Sequence, residues 1–389
     1  MASVRPNPLE RSTNLAFPKR LASLDGWRAI CILMVLVEHS RHTFDFPRKL
    51  DFLVAWTVDA NLGVRFFFVI SGFLITYLML QEHTSTGTLS LRKFYARRAL
   101  RILPVYCAYL VVALGLQIFT VVHRPMATWI ANLTFTTNFA RDPNGPLTKF
   151  FTMHLWSIAI EEQFYLFWPV VLVAAGLQNT RRLLRILIIP VVATPVFKLI
   201  LYTHYAILFP PPLDVFFREF SSFFYFDALA VGCLSAILFA RYTGTLRAML
   251  SNRGSAIAAL SLLFILVPHI LSRLSIVNVL TFVTGNSFQA IGFALLLLQS
   301  VYFPQFFTPL NWSLTRQIGV LSYSIYIWHM LFCEKPRTFG LSNVWFMSFY
   351  YWILPALAIS ALSFYFLERP FMALRAKLRP NPHQRPTKV

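Results

Sequence analysis

Ten apolar stretches recur along the 389-residue chain, each about the length that crosses hydrocarbon, roughly 17–25 residues. Their approximate cores are 27–42, 62–81, 102–122, 154–176, 186–207, 221–240, 255–272, 279–300, 318–334 and 347–367. Inside a bilayer no water satisfies backbone N–H and C=O groups, so such stretches must become helices. The fold class is therefore all-α, a polytopic integral membrane protein of about ten transmembrane helices. Only 13% of the residues are charged and 57% are hydrophobic, where soluble domains carry about 25% charged residues. Pro190 and Pro195 can kink the fifth stretch and Gly285-Asn286 interrupts the eighth, without forbidding either span. The segment around residue 135 can dip into the interface without crossing.

The net charge of +20 invites a nucleic-acid partner, but the basic residues sit in short clusters between apolar stretches, as in proteins that orient themselves by the positive-inside bias. Those clusters follow the even spans: RKFYARRALR at 92–101, RRLLR at 181–185, then Arg241, Arg247 and Arg253. The alternation places both termini in the cytoplasm and makes a nucleic-acid partner unnecessary. Three regions follow: a polar cytoplasmic tail at 1–20, one membrane domain at 21–368, and a basic cytoplasmic tail at 369–389. Both tails are rich in Pro and charge and read as disordered. Without a cleaved leader in evidence, the first helix serves as the anchor. Cys31, Cys107, Cys233 and Cys333 fall in apolar segments without zinc-ligand spacing, so they read as small hydrophobes and no metal site is expected.

Against this background the ionisable residues within spans stand out, since each costs about 2.5–3.5 kcal/mol to insert. They are Arg28, Glu38 and His39 in the first span, Arg65 in the second, Glu161 and Glu162 in the fourth, Asp227 in the sixth and His329 in the ninth. Eleven residues at about 100° each return Arg28 and His39 to within about 20° of one helical face, about 16 Å apart along the axis. A histidine so placed is either a hydrogen-bonded structural residue or a proton-transfer group. Glu161 and Glu162 point about 100° apart, which suits an ion pair for one and a cavity for the other. Arg98 and Arg101 share one face at the cytoplasmic end of the third span. They can meet lipid headgroups or a phosphorylated ligand, whose oxygens match the guanidinium fork.

Taken in order, the motifs resemble those of the acyltransferase-three superfamily of membrane-bound O-acyltransferases. LDGWRAICILMVLVEHS (24–40) resembles its opening arginine–histidine motif, GVRFFFVISGFLIT (63–76) its SGFL helix and FYARRALRILPVY (94–106) its RxxR segment. HLWSIAIEEQFYLFWP (154–169), FDALAVGCLSA (226–236), LSYSIYIWHM (321–330) and ERPF (368–371) complete the pattern over nearly the whole chain. The resemblance implies transfer of an acyl group, usually acetyl, from cytosolic acyl-CoA to a hydroxyl of a carbohydrate or glycoconjugate. It makes His39 the catalytic histidine, as general base or transient acyl carrier, and Arg28 its motif partner. Glu38 or Glu162 would orient the imidazole, and Arg28, Arg98 and Arg101 would hold the phosphates of coenzyme A. Arg65, Ser71, Glu161, Asp227 and His329 would line the substrate channel.

Relatives often carry an acid where this chain has Arg65, so Arg65 is expected to meet an anionic acceptor or to pair with Asp59 or a glutamate. Some relatives append a hydrolase-like domain; here about twenty residues follow the last span, so acceptor modification is expected to require no built-in second domain, or a separate partner. The resemblance implies no tightly bound cofactor, acyl-CoA as co-substrate, a multi-pass location in the inner membrane and potential polysaccharide-assembly partners. Two other readings fit ten spans with buried charges: a transporter or flippase of a glycan or lipid-linked intermediate, and a non-catalytic membrane scaffold. The ordered motifs and the lack of a duplicated half favour the enzyme.

Overall fold

The computed structural model describes residues 21, 23–119, 125–139, 151–205, 225–274, 279–341 and 344–378. The first half of the chain forms α1 (Leu24–Ser40), α2 (Arg48–Thr57), α3 (Ala60–Thr86), α4 (Leu91–Phe119), α5 (Met126–Leu133), α6 (Leu155–Ala175) and α7 (Thr180–Tyr205). The second half forms α8 (Phe226–Arg241), α9 (Thr243–Asn252), α10 (Gly254–Arg273), α11 (Val279–Tyr302), α12 (Ser313–Trp328), α13 (Ile353–Ser363) and α14 (Arg369–Lys377). Among the described residues there is no strand, only an isolated parallel bridge between Phe44 and Ser348. The all-α expectation holds.

Every one of the ten apolar stretches contains a helix, but the number of crossings is smaller by length and composition. Among the described residues, seven helical stretches are long and apolar enough to cross a membrane, or eight if α8 and α9, bent by 103°, form one broken span. Helices α1 and α12 have 17 and 16 residues, so they are about 24–26 Å long, short of a hydrocarbon core of about 30 Å. The prolines of the fifth stretch lie inside the single helix α7, and Gly285 lies within a continuous α11. Near residue 135 the chain makes the short α5 and then a turn in which Phe135 adopts φ 54°.

Small residues set the closest helix crossings, as they do where lipid supplies no hydrophobic drive between helices. A Cβ on Gly72 of α3 would lie 2.1 Å from the carbonyl oxygen of Leu229 in α8, and one on Gly232 would lie 2.2 Å from that of Val69. The two backbones therefore touch, which fixes Ser71 beside the crossing. A Cβ on Gly319 would lie 1.8 Å from the Asp25 carbonyl oxygen, so α12 seats directly on α1. That second crossing brings His329, just beyond α12, to the His39 end of α1. The start of α1 is pinned as well: the Ser23 amide donates to Asn311 Oδ1 at 2.9 Å.

The last helix departs from the expected boundary. A wide π-helical turn, Phe364–Glu368, joins α13 to α14, and helix continues to Lys377. The proposed tail at 369–389 thus begins as helix. Pro370 has no N–H to give, and the wide turn just before it accommodates that loss. The turn also directs Glu368 inward, where it accepts from Ser324 Oγ at 3.0 Å. Residues 1–20 and 379–389, read from sequence as disordered, lie outside the described residues.

Candidate active site

His39 occupies the last turn of α1, half-buried, and His329 is fully buried in the short turn that follows α12. Their rings are nearly parallel, 12° apart, with His39 Nδ1 2.8 Å from His329 Nε2. His329 Nδ1 lies 2.7 Å from the backbone carbonyl oxygen of Tyr326. A carbonyl only accepts, so His329 carries its proton on Nδ1, and in the neutral ring Nε2 is the acceptor. His39 must then donate from Nδ1. The remaining nitrogen, His39 Nε2, keeps a lone pair. Two hydrogen bonds thereby define an imidazole competent to take a proton.

Five helices bring polar side chains to one cavity. Arg28 comes from α1, Ser71 from α3, Arg98 and Arg101 from α4, Glu161 and Glu162 from α6, and Tyr326 from α12. Glu161 accepts from both Ser71 Oγ and Tyr165 Oη. The Arg98 guanidinium lies 5.1 Å from the centre of the Tyr165 ring, a cation–π arrangement that holds it without neutralising it. Among the described residues neither Arg98 nor Arg101 has an ion-pair partner, while Arg28 is 3.9 Å from Asp25. The cavity wall therefore presents guanidinium groups available to an anion. Neither histidine lines it. Tyr326 connects the two places: its hydroxyl lies 2.6 Å from Ser157 Oγ at the cavity wall, and its carbonyl oxygen holds His329.

A family model described as an acyltransferase domain matches residues 21–368, nearly the whole chain. The chain belongs to this acyltransferase family. Among curated relatives, the peptidoglycan O-acetyltransferase OatA of Listeria monocytogenes is 27% identical over 383 residues, covering 90% of this chain and 56% of that protein. The O-acetyltransferase OatA of Staphylococcus aureus is 30% identical over 182 residues, 42% of this chain and 26% of its own length. The chain thus spans about a quarter to somewhat over half of the relatives it matches. No solved structure matches it.

For an acyltransferase of this family, the residues singled out from sequence divide into three groups. Arg28, Ser71, Arg98, Arg101, Glu161 and Glu162 share the cavity. His39 and His329 form the imidazole pair, so His329 stands behind His39 and not on the cavity wall. The expected carboxylate partner of His39 is not the one found. Arg41 takes Glu38 at 3.0 Å and reaches Asp51 of α2 at 2.8 Å, whereas Glu162 lines the cavity. The helical twist explains it: Glu38 and its neighbour His39 diverge by about 100°, and the Gly319 crossing delivers a histidine first.

Arg65 and Asp227 form the third group, buried away from the cavity. Arg65 Nη1 donates to Gln289 Oε1, and its guanidinium lies 5.4 Å from the centre of the Tyr225 ring. Asp227 accepts from Ser287 Oγ at 2.6 Å and from the Ala228 amide at 2.7 Å. Among the described residues Arg65 pairs neither with Asp59 nor with a glutamate; Asp59 instead faces Arg273 at 3.5 Å. These contacts tie α3, α8 and α11 together, as buried polar groups in a membrane bundle must be satisfied. Sequence reasoning passed over Tyr326, Ser157 and Tyr165. Tyr326 stands three residues before His329, one helical turn away, and that spacing was the available signal.

Proposed function

We propose that this chain is a multi-pass inner-membrane acyltransferase that moves an acetyl group from acyl-CoA to a hydroxyl of a carbohydrate acceptor. The observation that carries the reading is the division of labour along α1. An arginine-lined cavity opens at its Arg28 end, and an imidazole with a free Nε2 stands about 16 Å away along the axis at its His39 end. The basic loops favour a cytoplasmic arginine end, the side where acyl-CoA is found. The family and the names of its relatives support acetyl as the group and a carbohydrate as the acceptor.

In this mechanism Arg28, Arg98 and Arg101 bind the phosphates of coenzyme A through charge-assisted hydrogen bonds. The pantetheine arm then runs along α1 toward Tyr326 and brings the thioester to His39. His39 Nε2 takes the proton of the acceptor hydroxyl as its oxygen attacks the thioester carbonyl. The carbon–oxygen bond forms, the carbon–sulfur bond breaks, and the departing thiolate takes the proton back from the imidazolium. His329 accepts from His39 Nδ1–H throughout, holding the tautomer and sharing the transient positive charge. Glu161, engaged by Ser71 and Tyr165, shapes the cavity wall. Among the described residues seven or eight helical stretches are long and apolar enough to cross, and α1 and α12 complete the bundle as shorter crossings.

The test is turnover of purified protein with acetyl-CoA and peptidoglycan fragments, following both free coenzyme A and acetylated sugar. His39→Ala should lose at least ~10²-fold in kcat, the lower bound for a general base, while still binding acetyl-CoA. Turnover of the variant equal to wild type would remove His39 from the chemistry. Movement of glycan across vesicles without consumption of acetyl-CoA would favour a carrier.

A further inference from the structure

A third side chain adjoins the imidazole pair. The ligand atoms of His39, His329 and Cys333 all lie within 4.8 Å of one another. They come from two pieces of backbone: the end of α1, and the turn and bend that follow α12. Cys333 and His329 are fully buried, and His39 is half-buried. A third group of soft character stands close by, since Cys333 Sγ contacts Met330 Sδ at 3.5 Å.

We propose that His39 Nδ1, His329 Nε2 and Cys333 Sγ form a zinc site with one coordination position left for water. Two nitrogens and a sulfur are the donors that zinc selects, and three protein ligands plus water is an established zinc arrangement. The second-shell bond is already in place: His329 Nδ1–H on the Tyr326 carbonyl turns its Nε2 inward, as metal-binding histidines require. The adjustment includes a tilt of both rings, which now face each other nitrogen to nitrogen with centroids 5.1 Å apart, so that their lone pairs converge on one ion. With Zn–N of about 2.0–2.1 Å and Zn–S of about 2.3 Å, a tetrahedron has N–N and N–S edges of about 3.3 and 3.6 Å. The two nitrogens, now 2.8 Å apart, separate by about half an ångström, and the sulfur closes by at most about 1.2 Å through a side-chain turn.

Binding and catalysis then compete for one ring. Zinc displaces the proton from His39 Nδ1 and that of the Cys333 thiol. One proton leaves to solvent and the other returns to His39 on Nε2, filling the lone pair that general-base chemistry uses. Zinc is thus an inhibitor; this consequence, though not the binding site, rests on the role given to His39 above.

The experiment uses the full chain in detergent with the exposed Cys107 replaced by serine, and titrates cobalt(II) as a spectroscopic stand-in. One equivalent should give the near-ultraviolet thiolate-to-cobalt band, and both Cys333→Ser and Cys333→Ala should weaken binding at least tenfold with unchanged melting. No band at one equivalent, or the same band in both variants, overturns the site. In parallel, the zinc concentration that halves acetyl transfer should rise at least tenfold in Cys333→Ser, whose basal turnover stays near wild type. Cobalt bound through the thiolate with turnover intact would leave the metal site standing and overturn the base role of His39.

Discussion

His39 donates from Nδ1 to His329 Nε2, 2.8 Å away, and His329 donates from its own Nδ1 to the Tyr326 carbonyl oxygen. Removing the acceptor leaves His39 free to place its proton on Nε2, the wrong nitrogen. His329→Ala should therefore lower kcat by about 10²-fold or more, with the KM for acetyl-CoA within a factor of about two, because His329 does not line the cavity. His329→Gln, whose side-chain oxygen can accept, should recover part of the loss. Equal turnover in His329→Ala and wild type would refute the tautomer assignment.

The cavity arginines make a separate prediction, read in KM. Arg98→Ala and Arg101→Ala should each raise the KM for acetyl-CoA about tenfold, corresponding to about 1.4 kcal/mol of binding. Acetyl-pantetheine lacks the nucleotide phosphates, so its KM should not move. A parallel rise for both donors would mean that the arginines hold the fold and not the phosphates.

Where α3 meets α8 the expectation concerns stability. Gly72→Ala pushes a methyl group to 2.1 Å from a backbone carbonyl oxygen, and backbone cannot step aside as a flexible side chain can. The variant should lose about 1–3 kcal/mol or fail to fold. Gly115→Ala in α4, with nothing within 4 Å of the added carbon, is the matched control and should melt at or above wild type. Similar melting for the two variants would contradict the crossing.

Arg41 joins α2 to the end of α1 by donating to Asp51 at 2.8 Å. Asp51→Asn should weaken that tie and speed amide exchange in α2 at neutral pH. An unaltered exchange profile in that variant would discount the tie.

Much of this was legible in the residues. Apolar length marked ten stretches that each hold a helix, although among the described residues seven or eight are long and apolar enough to cross, and the eleven-residue spacing put Arg28 and His39 on one face of α1. The Arg98–Arg101 spacing likewise placed both on the cavity wall. What the sequence could not convey was partnership across the fold. Glu38 is adjacent to His39 in the chain but turned away by the helical twist, and the real partner lies 290 residues downstream, delivered by a glycine crossing. Arg65 and Asp227 looked like channel residues because both are charged and buried. Their neighbours Gln289, Tyr225 and Ser287, unremarkable in sequence, make them internal struts.

The modest lengths of α1 and α12 carry one more consequence. At about 24–26 Å they cannot bridge an oily slab of about 30 Å, so the lipid beside them must thin or water must descend to meet Ser40. An acceptor sugar can then stay hydrated while presenting one hydroxyl to the imidazole. Mismatch of this kind costs fractions of a kcal/mol per ångström, and turnover should decline steadily as the enzyme is reconstituted into bilayers of longer acyl chains.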